Sequence, residues 1–156
     1  MLKAAVITVS DRAYKGIYKD KSGPEIKSIL EDSKLDISVA LSIVPDENKK
    51  IHDVICASLN NDFIITTGGT GISPRDITPE VTSSICDREI PGLSCYLRNE
   101  SIKETLFAVF SRGFCGVKGK TIIVNFPGSV KAAAFYTKLM IPLMLHGNKM
   151  LSGEGH

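Results

Sequence analysis

Four short apolar, β-branched runs divide this chain of 156 residues, at positions 4–9, 37–44, 63–67 and 121–126. Between the runs, apolar residues recur at helical spacing. Strands that alternate with helices are typical of a mainly parallel sheet with helices on both faces. The length suits one domain with its own core, so the sequence predicts a single α/β domain over residues 1–156.

The helices carry recognisable start signals. The predicted N-caps are Ser22, Asp46, Thr78 and Ser129. Residues 93–110 form a weaker helical region that is consistent with either one or two helices. We expect the last helix to be disturbed at Pro142, because proline removes a helical hydrogen bond.

Charge and cysteine usage exclude several classes of protein. The formal net charge is only +2, and no block of like charges favours nucleic acid or an acidic membrane as a partner. No apolar run reaches the roughly 18 residues that a membrane span needs. The four cysteines form no CxxC pair and the three histidines are scattered, which argues against a zinc site. We therefore expect a cytoplasmic protein with reduced thiols.

The densest motif is TTGGTGISPRDITPE at residues 66–80, which begins where the third strand ends. A glycine-rich turn after a strand is where open α/β sheets bind phosphates. A second turn, NFPGS at 125–129, follows the fourth strand and should face the same crevice. The motif is not the GxGxxG dinucleotide fingerprint. The alternative is that both segments are merely tight turns.

Acidic residues also follow the strands. Asp11 comes after the first, Asp46 and Glu47 after the second, and Asp76 after the third. Carboxylates beside a polyphosphate site usually hold a divalent cation. The alternatives are that Asp46 is only an N-cap and that Asp11 only pairs with Arg12. No Ser-His-Asp or Cys-His arrangement is evident, so chemistry here would depend on positioning and charge neutralisation.

Six segments in this order resemble the molybdopterin adenylyltransferase family, which includes MogA, MoaB and the G domain of gephyrin. They are SDRAYKGIYKDKSGP, IVPDE, TTGGTGISPRDITPE, DREIPG, FSR and NFPGS. The resemblance implies a three-layer α/β/α sandwich with a mostly parallel central sheet, often trimeric. It also implies Mg²⁺-dependent transfer of AMP from ATP to molybdopterin, with release of pyrophosphate and delivery of the product to a molybdate-inserting enzyme.

Roles follow from the resemblance position by position. It implies catalytic roles for Asp46 and Asp76, and metal binding by Asp46, Glu47 and Asp76. The implied nucleotide-binding residues are Thr67, Gly68, Gly69, Thr70, Gly71 and Pro74. The implied pterin-binding residues are Ser111, Arg112, Asn125, Pro127, Gly128 and Ser129.

Two alternatives to this enzyme stay open. One is a MoaB-like or scaffold protein that binds molybdopterin or nucleotide but transfers nothing. The other is an unrelated phosphohydrolase. The chain also ends sooner after Ser129 than many bacterial relatives, which leaves the role of its last helix undefined.

Overall fold

The computed structural model describes residues 1–154. The strands are β1 (Leu2–Val9), β2 (Ile37–Val44), β3 (Phe63–Thr67), β4 (Arg88–Glu89), β5 (Cys115–Lys118) and β6 (Thr121–Phe126). The helices are α1 (Asp11–Tyr14), α2 (Ser22–Glu31), α3 (Asn48–Ala57), α4 (Thr78–Ile85), α5 (Pro91–Glu104) and α6 (Val130–Ser152), with a 3-10 helix at Leu106–Phe110.

One six-stranded sheet has the order β2-β1-β3-β6-β5-β4. The first four of these strands are parallel, and β5 and β4 are antiparallel to their neighbours. The four predicted strands are all present, so the mostly parallel α/β fold is confirmed. Strands β4 and β5 escaped prediction because they have only two and four residues, too few to show an apolar periodicity.

Alternate residues of the central strands feed two separate cores. Ala4 and Val6 of β1 pack with α2 and α6 on one face. Ala5, Ile7 and Val9 pack with α3 and α4 on the other. This alternation is the period-two pattern of a strand buried on both sides. It produces the expected three layers.

The helix starts agree only partly with the predicted caps. Ser129 caps α6, since its Oγ accepts the N–H of Ala132 at 3.2 Å. Ser22 and Thr78 are instead the first residues of α2 and α4, and Asp46 precedes the N-cap of α3. The Thr78 side chain instead contacts Gly68, and the Asp46 side chain contacts the N–H of Asp11. Both contacts belong to the candidate site described below.

The C-terminal half has two helices where the sequence left one or two open. Residues 93–110 are covered by α5 and the 3-10 helix. Helix α6 continues through Pro142 to Ser152, so Pro142 does not end the helix, and a local disturbance at this residue stays a prediction. Among residues 1–154, no helix is both long and apolar enough to cross a membrane.

Candidate active site

The carboxyl ends of the parallel strands surround a small hydrophilic cavity of about 270 Å³, here called the polar pocket. Its lining includes Thr8, Ser10, Tyr18, Asp46, Gly69 and Asp76. Adjacent strands end in register here, with Val9 of β1 opposite Val44 of β2 and Thr67 of β3 opposite Phe126 of β6. Parallel pairing therefore delivers side chains from distant parts of the sequence to one place.

The glycine turn after β3 needs glycine for geometric reasons. Gly68 and Gly69 both have positive φ, at 106° and 67°. A Cβ on Gly68 would lie 2.3 Å from the carbonyl oxygen of Val9, and one on Gly69 would lie 2.3 Å from Thr78 Oγ1. Thr78 Oγ1 donates to the Gly68 oxygen at 3.0 Å. The backbone of the turn thus forms part of the pocket wall.

The second turn, after β6, is joined directly to the first. The N–H of Gly68 donates to the Phe126 oxygen at 3.1 Å, and Thr67 Oγ1 donates to the Pro127 oxygen at 2.7 Å. A Cβ on Gly128 would lie 3.2 Å from the Cα of Gly68. The structure therefore brings together the two turns that the sequence placed in one crevice.

Asp46 lies in the polar pocket and is held by Asp11. The N–H of Asp11 donates to Asp46 Oδ2 at 2.9 Å, and the N–H of Asp46 donates to Asp11 Oδ1 at 3.0 Å. The Asp46 carboxylate is therefore not the N-cap of α3. Burial raises the pKa of Asp46, and the negative charges of Asp11 and Asp76 raise it further.

Asp76 lines the same pocket. Its Oδ2 accepts the N–H of Ser73 at 3.0 Å, which orders the loop between the glycine turn and α4. A Cβ on Gly71 would lie 2.8 Å from this oxygen. Two carboxylates from different loops therefore share one cavity and repel each other, an arrangement that a cation would stabilise.

Asp11 is paired with Arg75 and not with Arg12. Arg75 Nε and Nη2 donate to the two carboxylate oxygens of Asp11 at 2.6 and 3.0 Å. This pairing lowers the pKa of Asp11. The Arg12 guanidinium lies 5.5 Å from the ring centre of Tyr18 instead. Both Asp11 oxygens are engaged by the protein, which argues against Asp11 as a metal ligand.

The predicted three-carboxylate metal set is not assembled. Glu47 occupies the N-cap position of α3, is exposed and does not line the polar pocket. Within residues 1–154, no group of three or more His, Cys, Asp or Glu side chains is placed to hold a metal ion. Asp46 and Asp76 still suit magnesium, which takes only one or two protein carboxylates and completes its shell with phosphate oxygens and water.

Arg112 does not extend as a free cation toward a ligand. Its Nε donates to the Gly71 oxygen at 2.7 Å, its Nη2 donates to the Asp76 oxygen at 2.7 Å, and its Nη1 pairs with Glu80. The backbone N–H of Arg112 also donates to the backbone oxygen of Thr70 at 2.8 Å. The guanidinium thus braces the loop that carries Asp76, a contact set that the assignment to pterin binding did not foresee.

Asn125 is also committed within the fold. It is 1% exposed. Its Nδ2 donates to the hydroxyls of Thr66 and Thr82, both at 2.9 Å, and its Oδ1 accepts the N–H of Phe114 at 3.1 Å. Breaking these buried bonds to contact a ligand would be costly. The assignment of the Asn125 side chain to pterin binding is therefore replaced by a structural role.

A second cavity of about 270 Å³ adjoins the glycine turn and is here called the apolar pocket. Its lining includes Thr70, Gly71, Phe107, Phe110, Ser111 and Pro127. Phe107 and Phe110 project from the 3-10 helix and are 80% and 55% exposed. Exposed aromatic rings beside hydroxyl groups suit a flat, partly polar ligand.

The remaining predicted residues divide between these surroundings. Ser111 and Pro127 line the apolar pocket, and Gly128 lines the polar pocket. Ser129 is the N-cap of α6. Pro74 is exposed and lines neither pocket, so the structure gives it no contact with the space around Asp46 and Asp76.

Several pocket residues had no predicted role. Tyr18 and Ser10 lie in the polar pocket with their hydroxyl oxygens 2.8 Å apart, and Thr8 lies beside them. Phe107 and Phe110 line the apolar pocket. The available signal was position: Tyr18 lies in the long polar segment after β1, Phe110 directly precedes Ser111, and Phe107 lies one 3-10 turn further back.

Comparison with known proteins adds a family to this geometry. The family described as "Probable molybdopterin binding domain" matches residues 5–146. A molybdopterin adenylyltransferase of Helicobacter pylori is 39% identical, and the alignment covers 96% of this chain and 87% of that protein. The Drosophila melanogaster molybdenum cofactor synthesis protein cinnamon is 38% identical over 96% of this chain, which spans only 25% of that longer protein.

A solved structure shows the same fold. The molybdopterin biosynthesis enzyme MoaB from Thermus thermophilus superposes with a TM-score of 0.88 at 35% identity. The match covers 98% of each chain. Sequence and structure therefore lead to the same group of proteins.

Proposed function

The chain belongs to the probable molybdopterin-binding domain family, and from this premise we propose that it transfers AMP from ATP to molybdopterin. The products are adenylyl-molybdopterin and pyrophosphate. The relatives named molybdopterin adenylyltransferase, which are similar over most of this chain, support the assignment. ATP is then the co-substrate.

The observation that carries the proposal is the pairing of two unlike pockets across one glycine turn. Asp46 and Asp76 lie in the polar pocket, and aromatic rings line the apolar pocket. Thr70 and Pro127 of the apolar pocket directly adjoin Gly69 and Gly128 of the polar pocket in sequence. A transfer between two substrates requires two binding sites that meet at the reacting atoms.

We assign the polyphosphate to the polar pocket and the pterin to the apolar pocket. Backbone N–H groups of the glycine turn can face phosphate oxygens. The aromatic side chains of Phe107 and Phe110 can contact the flat ring system of a pterin, while Ser111 supplies a hydroxyl. Thr70 and Gly71 lie at the boundary.

Magnesium would be held by Asp46 and Asp76. When bound, it would neutralise charge on the phosphates of the nucleotide. The two carboxylates would fix the position of the metal, and Asp46 must be ionised to bind it. No protein nucleophile is needed, because the terminal phosphate of molybdopterin attacks the α-phosphorus and pyrophosphate leaves with the P–O bonding electrons.

A protein that only binds molybdopterin or nucleotide is the second candidate. One observation bears on it: two carboxylates share a small pocket, although burial and the charges of Asp11 and Asp76 raise the pKa of Asp46. A site that only bound anionic ligands would gain nothing from this repulsion. The arrangement therefore favours the enzyme.

Wider properties of the protein rest on resemblance alone. We propose a homotrimer in the cytoplasm that hands adenylyl-molybdopterin to a molybdate-inserting enzyme. All four cysteines of the chain are free thiols in the structure, which is compatible with a reducing compartment.

The direct test is incubation of the purified protein with molybdopterin, ATP and Mg²⁺, followed by detection of adenylyl-molybdopterin and pyrophosphate. We expect both products in equal amounts. Binding of both substrates without either product would favour the binding protein instead. Release of inorganic phosphate from ATP without adenylyl-molybdopterin would favour a phosphohydrolase.

A further inference from the structure

Three segments of the chain meet beside Asp46. They make contacts with Asp46 from outside the polar pocket. The start of α1, directly after β1, supplies Asp11, the loop after β2 supplies Asp46, and the loop after the glycine turn supplies Arg75. Each aspartate accepts the other's backbone N–H, at 2.9 and 3.0 Å. This reciprocal pair joins the ends of two neighbouring strands.

Arg75 completes the connection from the third loop. It donates to both carboxylate oxygens of Asp11 at 2.6 and 3.0 Å. Its Nη2 also donates to the backbone oxygen of Asp46 at 3.1 Å. Asp46 is therefore held at its N–H, its carbonyl and one carboxylate oxygen.

Neither Asp11 nor Arg75 lines the polar pocket. The Arg75 side chain is 60% exposed, so its pairing with Asp11 adds little stability in water. A bidentate arginine fixes direction more effectively than it adds stability. Arg75 contacts the Asp11 carboxylate and the Asp46 backbone oxygen. These two groups determine where the Asp46 carboxylate lies.

The geometry points to Asp11 and Arg75 as positioning residues that fix the Asp46 carboxylate relative to Asp76 for metal binding. This inference rests on the proposed function, in which those two carboxylates hold magnesium. Arg75 follows the same glycine loop as Asp76, one residue before it. The loop that carries Asp76 therefore also contacts Asp46 through Arg75. Asp11 acts through Asp46 without touching the metal.

The test uses Mn²⁺ as a paramagnetic substitute for Mg²⁺, together with α,β-methylene ATP. Broadening of the Asp46 and Asp76 amide signals is followed by NMR as Mn²⁺ is added. We expect both signals to broaden in the wild-type protein. In Arg75→Gln, the Mn²⁺ concentration for half broadening at Asp46 should rise by about ten- to a hundredfold, the usual effect of losing a residue that orients a metal ligand.

A graded pair of variants separates positioning from simple structural support. Asp11→Asn retains an oxygen for the Asp46 N–H, whereas Asp11→Ala removes it. We expect Asp11→Ala to weaken Mn²⁺ binding more than Asp11→Asn, with melting temperatures that differ little. Lys49→Gln is the matched control, because it breaks an exposed pair with Asp53 on α3 and should leave Mn²⁺ binding unchanged.

A double variant gives the sharpest result. Once Asp46 is replaced by Asn, adding Arg75→Gln should weaken Mn²⁺ binding no further, because the arginine acts only through Asp46. Equal Mn²⁺ binding by wild type and Arg75→Gln overturns the inference, and so does a wild-type Asp46 signal that Mn²⁺ leaves unchanged. If the wild type transfers no AMP, the proposed function fails, while the Mn²⁺ titration still decides the role of Arg75.

Discussion

The polar and apolar pockets lie at the same edge of one sheet but are built from different materials. The polar pocket is formed by loops that follow parallel strands, with the backbone of Gly68 and Gly69 in its wall. The apolar pocket depends on the 3-10 helix Leu106–Phe110, whose aromatic side chains are exposed. Both pockets have volumes of about 270 Å³, so chemistry and not size distinguishes them.

This difference shows how the carboxyl-terminal edge of one sheet can bring two dissimilar substrates together. Strand ends deliver charged and hydroxyl side chains with a precise register, which suits phosphate and metal. A short helix outside the sheet presents apolar surface that no strand end could supply. The two pockets can be altered separately, and the following variants test that independence from the largest expected effect to the smallest.

Asp76→Asn should abolish most of the activity while leaving the fold intact. The substitution removes a negative charge from the polar pocket and should misplace the metal, costing about 3 kcal/mol of transition-state stabilisation. Single-turnover rates of AMP transfer and melting temperatures check this. Affinity for molybdopterin should be unchanged, and a variant that turns over at nearly the wild-type rate would reduce Asp76 to a loop-ordering residue.

Gly69→Ala should destabilise the protein and weaken nucleotide binding together. Its φ is +67°, and the new Cβ would approach Thr78 Oγ1 at 2.3 Å and Asp46 Oδ1 at 3.1 Å. Backbone strain of this kind costs about 1–3 kcal/mol. Denaturant unfolding and nucleotide titration measure the two effects.

Gly119→Ala is the matched control for this glycine. Its φ is +57°, but no atom lies within 4 Å of the added Cβ. It should show the backbone strain without a change in nucleotide affinity. Equal losses of nucleotide affinity in the two variants would mean that the Gly69 site is not in contact with the nucleotide.

Phe110→Ala should weaken molybdopterin binding by about 1 kcal/mol, because an aromatic ring that contacts a flat ligand contributes roughly this much. Nucleotide affinity should not change. Leu145→Ala removes an apolar side chain of similar exposure on α6 and serves as control. Loss of nucleotide affinity in Phe110→Ala would place the nucleotide in the apolar pocket and reverse the assignment.

The pH dependence gives the smallest but most specific signal. Burial and neighbouring charges raise the pKa of Asp46, so its contribution to stability is full at low pH and is lost as pH rises through the folded-state pKa. Activity has the opposite sign, since the ionised form would hold the metal and is lost as pH falls through that pKa. Metal-free NMR titration should show a lower Asp46 pKa in Asp76→Asn and no change in Asp53→Asn.

Sequence patterns were sufficient for the framework of the fold. Strands β1, β3 and β6 were identified because burial on both faces gives continuous apolar runs. Strand β2 was identified by its apolar, β-branched residues, although several of them are exposed at the edge of the sheet. The antiparallel edge was missed because β4 has only two residues, both exposed. Helix α6 continues through Pro142, so a single proline did not mark the end of a helix here.

The sequence predicted which segments meet but not the contacts between their side chains. Glycine-rich turns and acids after strands predicted one crevice, and the structure places Asp46 and Asp76 in one pocket, while their function stays a prediction. The partners of side chains such as Arg112 and Arg75 depend on contacts between residues distant in sequence, and no local pattern reveals them. Asn125 and Arg112 illustrate the limit, because a motif position marks a residue without stating whether it faces a ligand or the fold.

The most direct test of the division between the pockets is a crystal structure with Mg²⁺, α,β-methylene ATP and molybdopterin bound. We expect one magnesium ion within about 2.0–2.1 Å of carboxylate oxygens from both Asp46 and Asp76. The triphosphate should lie along Gly68 and Gly69, and the pterin should lie against Phe107 and Phe110. A triphosphate in the apolar pocket, or a metal that contacts neither aspartate, would contradict the account.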